Sequence, residues 1–209
     1  YINRFCFIFM KVLTEKEAEK FLEKEGFSIA EGFFIKNKSQ FEKNDFNGKF
    51  AAKASGKKIV HKKNIGGVIL GISSTEDATK ALDRLMKIKG AEEVFFQRQL
   101  SGKEFLLGIK KTPEFGHVVV YGVGGSGVEE KKDFSFRVCP FDSDDADKMI
   151  KETSIGRRSD SEDKILLKKE IMKFCKLAEK FPGIKELDIN PLMINGGRAY
   201  VVDARVVFE

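Results

Sequence analysis

The sequence predicts an α+β protein of two lobes, and three observations carry this. A capped amphipathic helix and short strands open the chain. Three alternating apolar runs with short turns fill its middle. Two helical stretches and a strand pair close it. At 209 residues the chain can hold one large domain or two joined lobes.

Thr14-Glu15-Lys16-Glu17 is a capping box and predicts a helix with Ala18, Phe21 and Leu22 on one face, ending near Gly26. Residues 30–36 read as extended, and 37–50 are polar and ambiguous. Phe50 to Ser55 reads as a short strand, followed by a Lys-rich turn and a second strand at Ile59-Val60. Val68–Ile72 is an apolar run short enough for a buried strand. Ser74 and Asp77 cap a helix carrying Ala78, Leu82 and Met86, ended by Gly90. Val94–Leu100, Glu104–Lys110 and His117–Val123 read as an antiparallel meander. Helices follow at 143–152 and 161–181, then strands 184–189 and 198–207 around a turn at Asn195-Gly196-Gly197.

Composition removes several classes. Apolar residues make up 42% and charged residues 33%, which is neither disordered nor membrane-spanning, and no apolar run approaches ~20 residues. The 38 Lys+Arg against 32 Asp+Glu leave +6. That excess fits an anionic small molecule at least as well as nucleic acid. No RNP-like or KH-like stretch occurs, and a Phe-rich core accounts for the aromatics, so neither a nucleic-acid nor a membrane partner is expected. Cys6, Cys139 and Cys175 form no CxxC, so a reduced, cytoplasmic protein is expected, with Cys139 and Cys175 in the core. Residues 1–9 read as an extension without function, and Met10 as the natural start.

Three places could carry chemistry. Gly122, Gly124, Gly125 and Gly127 form a loop whose N–H groups could approach a phosphate; it is no Walker A, and a loose hairpin end fits the pattern equally. Gly66-Gly67 after His61-Lys62-Lys63 is a basic loop that either closes over phosphates or is a solvated turn. His61 gains weight from that loop, because a neutral imidazole is a competent nucleophile toward phosphorus, whereas His117 reads as structural. Strand alternation puts Asp188 and Asn190 on one face, with Asp203 on the partner strand. Such an oxygen set suits a hard cation, and here function is favoured over a capped hairpin with an Asn-Pro turn.

Blocks in order extend this reading. Lys11-Val-Leu-Thr-Glu-Lys-Glu-Ala18, His61-Lys-Lys-Asn-Ile-Gly-Gly-Val68, Glu104-Phe-Leu-Leu-Gly108, Phe115-Gly116 and Gly124-Gly125 come first. Lys132-Asp-Phe-Ser-Phe-Arg-Val-Cys-Pro140, Glu186-Leu-Asp-Ile-Asn-Pro-Leu192 and Val202-Asp-Ala-Arg205 follow. From Lys11 to Phe208 the chain resembles the β subunit of ADP-forming acyl-CoA synthetases, ATP-grasp proteins related to the succinyl-CoA synthetase β subunit. The resemblance implies an ATP-grasp fold over residues 10–209, two lobes clamping a nucleotide, the smaller about 28–96. It implies the reaction acyl-CoA + ADP + phosphate = carboxylic acid + CoA + ATP, by relay through phosphohistidine. By motif His61 matches the histidine that hands the phosphoryl group to ADP, and Asp188 an acidic residue supporting it. Lys53, Gly66, Gly67, Gln97 and Glu104 match nucleotide-binding positions, and Asn190 and Asp203 the Mg²⁺ ligands. ATP or ADP would be substrate, Mg²⁺ the cofactor, and a CoA-binding α subunit the partner in an α2β2 heterotetramer. Thr112-Pro113, His117, Ser126 and Arg157-Arg158 depart from the family pattern, which bears on acyl preference and subunit contact. A catalytically silent regulatory subunit, or the ATP-grasp part of a ligase using another acid or GDP, are the alternatives.

Overall fold

The computed structural model describes residues 10–43, 46, 48–56, 59, 62, 65–125 and 132–209. The chain runs through β1 (Lys11–Val12), α1 (Glu15–Lys24), β2 (Ser28–Ile29), β3 (Gly32–Ile35) and a 3-10 turn at Lys38–Lys43. Next come β4 (Phe50–Ser55), β5 (Val68–Ile72), α2 (Thr75–Leu85), β6 (Glu93–Arg98), β7 (Lys103–Thr112), β8 (Gly116–Val123) and β9 (Phe134–Val138). Then follow α3 (Ser143–Glu152), α4 (Ser154–Arg158), α5 (Ser161–Lys180), β10 (Ile184–Asn195), β11 (Arg198–Val201) and β12 (Ala204–Phe208). These elements fall into two compact units: Ile29–Ser101, and the chain up to Ser28 together with Gly102–Glu209.

In the Ile29–Ser101 unit the antiparallel strand order is β3-β6-β4-β5. One face is apolar because its alternate residues are Ile35, Phe50, Ala52, Ala54, Val94 and Phe96, and these bury Ala78, Ala81, Leu82 and Leu85 of α2. Phe46 sets its ring edge-on to Phe33, Phe41, Phe50 and Phe96 with centroids 5.4–5.7 Å apart, so Phe is core material here as composition suggested. Ser74 caps α2 by accepting from the Asp77 N–H, as expected. β5 is not a buried strand: it pairs with β4 alone, and Leu70 is exposed. Ile59 lies outside any strand, and Val60 outside the described residues.

The other unit has the strand order β1-β12-β10-β7-β8-β9, with β11 paired to β10. Phe105, Leu107, Ile109, Val119, Tyr121, Leu187 and Ile189 form one buried face, covered by α3 and α5 through residues such as Met149, Leu167, Ile171 and Phe174. Asp142 caps α3 and Asp160 caps α5, the latter one residue ahead of the expected start. Thr14 and Glu17 make the expected capping box of α1.

Two further expectations are corrected. The meander does not include the run at 94–100: β6 is placed between β3 and β4, and β9 takes the third position beside β8. The closing strands are not a simple pair. β10 continues to Asn195, and its partner run breaks into β11 and β12 around Val202 and Asp203. Asp203 therefore sits in the bend between two strands.

Candidate functional site

In the larger sheet Arg205, Asp188, Gly108, Val120 and Phe136 are directly opposed across β12, β10, β7, β8 and β9. Opposed residues of an antiparallel sheet share a face. This row therefore lies on the side turned away from α3 and α5. A Cβ on Gly108 would stand 3.7 Å from Oδ1 of Asp188, so the missing side chain leaves room beside that carboxyl.

β10 bulges at Asn190-Pro191: the register passes from Ile189 opposite Leu107 to Leu192 opposite Phe105, two residues against one. Bulges of this kind re-aim side chains next to active sites. The Asn190 N–H donates to the Asp203 carbonyl at 3.1 Å, which ties the bend to the bulge. Oδ1 of Asn190 accepts from the Gly125 N–H at 2.7 Å. The Gly124 N–H in turn donates to the Glu104 carbonyl at 2.8 Å. A Cβ on Gly125, whose φ is +84°, would lie 1.8 Å from Oε2 of Glu104, so only glycine lets that carboxyl stand there. Gly124, Gly125, Glu104, Asn190 and Asp203 are thus brought together. Gly125 is a backbone donor, as the glycine loop suggested, but to Asn190, an attachment that the sequence pattern does not show.

Burial, with the Glu186 and Asp203 carboxylates adding to it and Arg205 opposing, pushes the Asp188 carboxyl up to about 6. Arg205 holds Glu186 at 2.8 Å. Burial is the larger cause, and a cation beside these carboxylates would favour the charged form of Asp188. The Asp203 carboxylate and the Asn190 amide oxygen suit Mg²⁺, which takes few protein ligands and keeps several waters. Among the described residues no cluster of three or more His, Cys, Asp or Glu could hold a metal ion.

The Ile29–Ser101 unit carries a second group on the face opposite its core. Lys53 is opposed to Phe95, and Ala51 to Gln97. The Lys53 Nζ donates to Oε1 of Gln97 at 2.6 Å, and the ammonium stands 5.7 Å over the Phe95 ring. Both side chains are deeply buried, Lys53 with 5% and Gln97 with 1% of its surface exposed. A buried ammonium needs such partners. Gln97 Nε2 reaches the Ala30 carbonyl at 3.5 Å. Gly66 has φ +67°. The Gly67 N–H donates to the Lys62 carbonyl at 2.7 Å, and the Gly67 carbonyl accepts from Ala54 beside Lys53. His61 lies outside the described residues, as do Ser126 and Gly127. His117 has the structural place expected, with Nε2 2.7 Å from the Ile184 carbonyl. No described helix is long and apolar enough to cross a membrane.

Comparison with known proteins matches residues 10–208 to the ATP-grasp domain family. Acetate–CoA ligase (ADP-forming) I subunit β of Pyrococcus furiosus is 33% identical over 213 residues, covering 93% of this chain and 91% of that protein. Acetate–CoA ligase (ADP-forming) II of Archaeoglobus fulgidus is 34% identical over 204 residues, covering 94% of this chain. The match spans only 30% of that longer relative's length. Among solved structures, acetyl-coenzyme A synthetase 1 of Ca. Korarchaeum cryptofilum in complex with coenzyme A and Ca-AMPCP superposes with a TM-score of 0.84 at 27% identity. It covers 95% of this chain and 94% of that one. A second structure of that protein holds coenzyme A and Mg-AMPPCP, with its phosphohistidine segment pointing towards the nucleotide binding site. Its TM-score is 0.80 at 27% identity, over 95% and 93% of the two chains.

Proposed function

This chain belongs to the ATP-grasp family, among the β subunits of ADP-forming acetate–CoA ligases, and from that premise we propose that it is the nucleotide-binding part of such a ligase. The reaction is acyl-CoA + ADP + phosphate = carboxylic acid + CoA + ATP. The observation that carries the reading is the tie of Asn190 to Gly125 and Asp203 on the sheet face that also bears Asp188 and Glu104.

Phosphoryl transfer asks the protein for positioning and charge neutralisation. Asn190 and Asp203 would hold Mg²⁺, which neutralises phosphate charge. Lys53, kept in place by Gln97, pairs with a phosphate oxygen, and Gly66 and Gly67 line the phosphates. Glu104 and Gln97 bind the rest of the nucleotide. His61 is the relay: its N–P bond breaks as a β-phosphate oxygen of ADP takes the phosphoryl group, and the imidazole is left neutral. Asp188 supports His61 in that role. The CoA-binding work falls to an α partner, in an α2β2 assembly, in the cytoplasm. The smaller nucleotide-binding lobe is about residues 28–96.

Mixing this chain with the CoA-binding chain of the same genome, acetyl-CoA, Mg-ADP and phosphate should form ATP. Each chain alone should form none. A mixture that binds Mg-ADP yet makes no ATP with any acyl-CoA overturns the ligase reading.

A further inference from the structure

The face of the Ile29–Ser101 sheet that carries Lys53 holds a row of directly opposed residues: Phe34 on β3, Phe95 on β6, Lys53 on β4 and Val68 on β5. Alternation turns this row away from the face that packs on α2. Phe95 is nevertheless only 1% exposed. The Phe34 ring stacks on it, with centroids 4.3 Å apart and planes 13° from parallel. Gly32, on the strand of Phe34, leaves the space that the Phe95 ring fills. A Cβ there would stand 2.5 Å from Cε2 and 2.7 Å from Cζ of that ring. The ring is thus fixed by its neighbours, and the Lys53 ammonium lies over its face at 5.7 Å.

A lysine ammonium is a point charge on a flexible four-carbon stem, with donors that rotate. The hydrogen bond to Oε1 of Gln97 fixes it in one direction. The negative face of an aromatic ring attracts a cation, and more strongly where water is excluded, as it is at Lys53. The ring therefore supplies a second direction. Neither an amide oxygen nor a ring face carries a net charge, so these two groups hold the ammonium without cancelling it. A carboxylate in either place would neutralise the charge that a phosphate needs. We propose that Phe95 is a positioning residue for Lys53: its ring, seated between Phe34 and the space above Gly32, holds the ammonium where a nucleotide phosphate meets it. This rests on the reading of Lys53 as a phosphate partner. Geometry set in advance lowers the ordering cost of binding, so the ring should be felt in nucleotide affinity through Lys53.

The test grades the electrostatics of the ring while its shape is nearly kept. This chain is made with para-fluorophenylalanine or trifluorophenylalanine in place of Phe95, and each form is titrated calorimetrically with Mg-ADP. Fluorine drains the negative ring face, so affinity should fall in order, about three- to tenfold over the series. In the Lys53→Met background the same replacements should change affinity little. A ring that serves packing alone would keep affinity constant across the series, and that result overturns the proposal. A rise in affinity also overturns it, because the ring then competes with phosphate for the ammonium. So does a fall of equal size in the Lys53→Met background, because the ring then acts on the nucleotide without Lys53. Lys53→Met with the natural ring tests the phosphate reading by itself: unchanged Mg-ADP affinity there removes Lys53 from the phosphates, and the role of Phe95 with it.

Discussion

The backbone N–H of Gly125 holds Oδ1 of Asn190 at 2.7 Å, across 65 residues of sequence. It fixes the side chain of a proposed cation ligand from a loop whose own shape depends on two adjacent glycines with different reasons for being glycine. A Cβ on Gly124 would stand 2.5 Å from backbone atoms of Phe105, which cannot yield without moving β7. A Cβ on Gly125 meets the end of the Glu104 side chain, which can swing away.

The two alanine variants should therefore separate. Gly124→Ala is expected to cost about 2–3 kcal/mol in urea denaturation, through backbone overlap. Gly125→Ala should cost about 1 kcal/mol for its positive φ, yet weaken Mg-ADP binding about tenfold or more by displacing Glu104 and the donor to Asn190. Calorimetric titration and denaturation on the same samples check both.

Asp203→Ala should reduce Mg-ADP affinity about tenfold or more while thermal stability changes little. Its backbone, which receives the Asn190 N–H, is retained in the variant. An unaltered affinity would remove Asp203 from the cation site.

Lys53 and Gln97 form a buried pair, so the two truncations should rank in an order that surface residues would not show. Gln97→Leu takes an acceptor from a buried ammonium and should cost about 1.5–3 kcal/mol. Lys53→Met removes the charge with its desolvation cost, keeps the aliphatic stem, and should be the milder change in stability. For nucleotide affinity the order should reverse, with Lys53→Met the more damaging.

Hydrogen bonds from Arg137 and then Ser135 hold the Glu152 carboxyl below its ordinary value. A depressed folded-state value gives stability that is present above the unfolded value of ~4.3 and is lost as pH falls through the folded one. Glu152→Gln should lower the melting temperature at pH 7 by about 1–3 °C, a small figure because the pair is partly exposed. The difference should shrink as pH falls through the folded-state value, where the native carboxylate is protonated too. A difference that persists there would mean that the substitution acts through contacts rather than charge.

The helices were legible because their information is local: Thr14, Ser74 and Ser143–Glu152 announce themselves within a few residues. Sheet membership was not. β6 reads as the neighbour of β7 along the chain, but its partners are 38–65 residues upstream, and alternation fixes a face without naming the partner strand. β9 escaped for a different reason: its alternation is inverted, with Phe134, Phe136 and Val138 exposed and Ser135 and Arg137 turned to Glu152. In the site, the face shared by Asp188 and Asn190 followed from period two. The attachment of Gly125 to Asn190 depends on a bulge, which no periodicity encodes.

The relay can be tested apart from binding. His61 lies in a stretch that is basic on both sides, with Lys57, Lys58, Lys62 and Lys63, and such a stretch attracts phosphate. An imidazole with an ordinary value of ~6.5 is mostly neutral at pH 7 and has a lone pair for phosphorus. His61→Ala should abolish ATP formation by the complex of this chain with its CoA-binding partner. Mg-ADP should still bind with nearly native affinity, because Lys53, Asn190 and Asp203 are untouched. With γ-labelled ATP and the partner present, the unmodified chain should take up label through an acid-labile, base-stable bond, and the variant none. Separation of the two chains after labelling decides the matter. If the complex turns over while this chain carries no label, His61 is a loop residue, and the partner transfers its phosphoryl group to ADP directly.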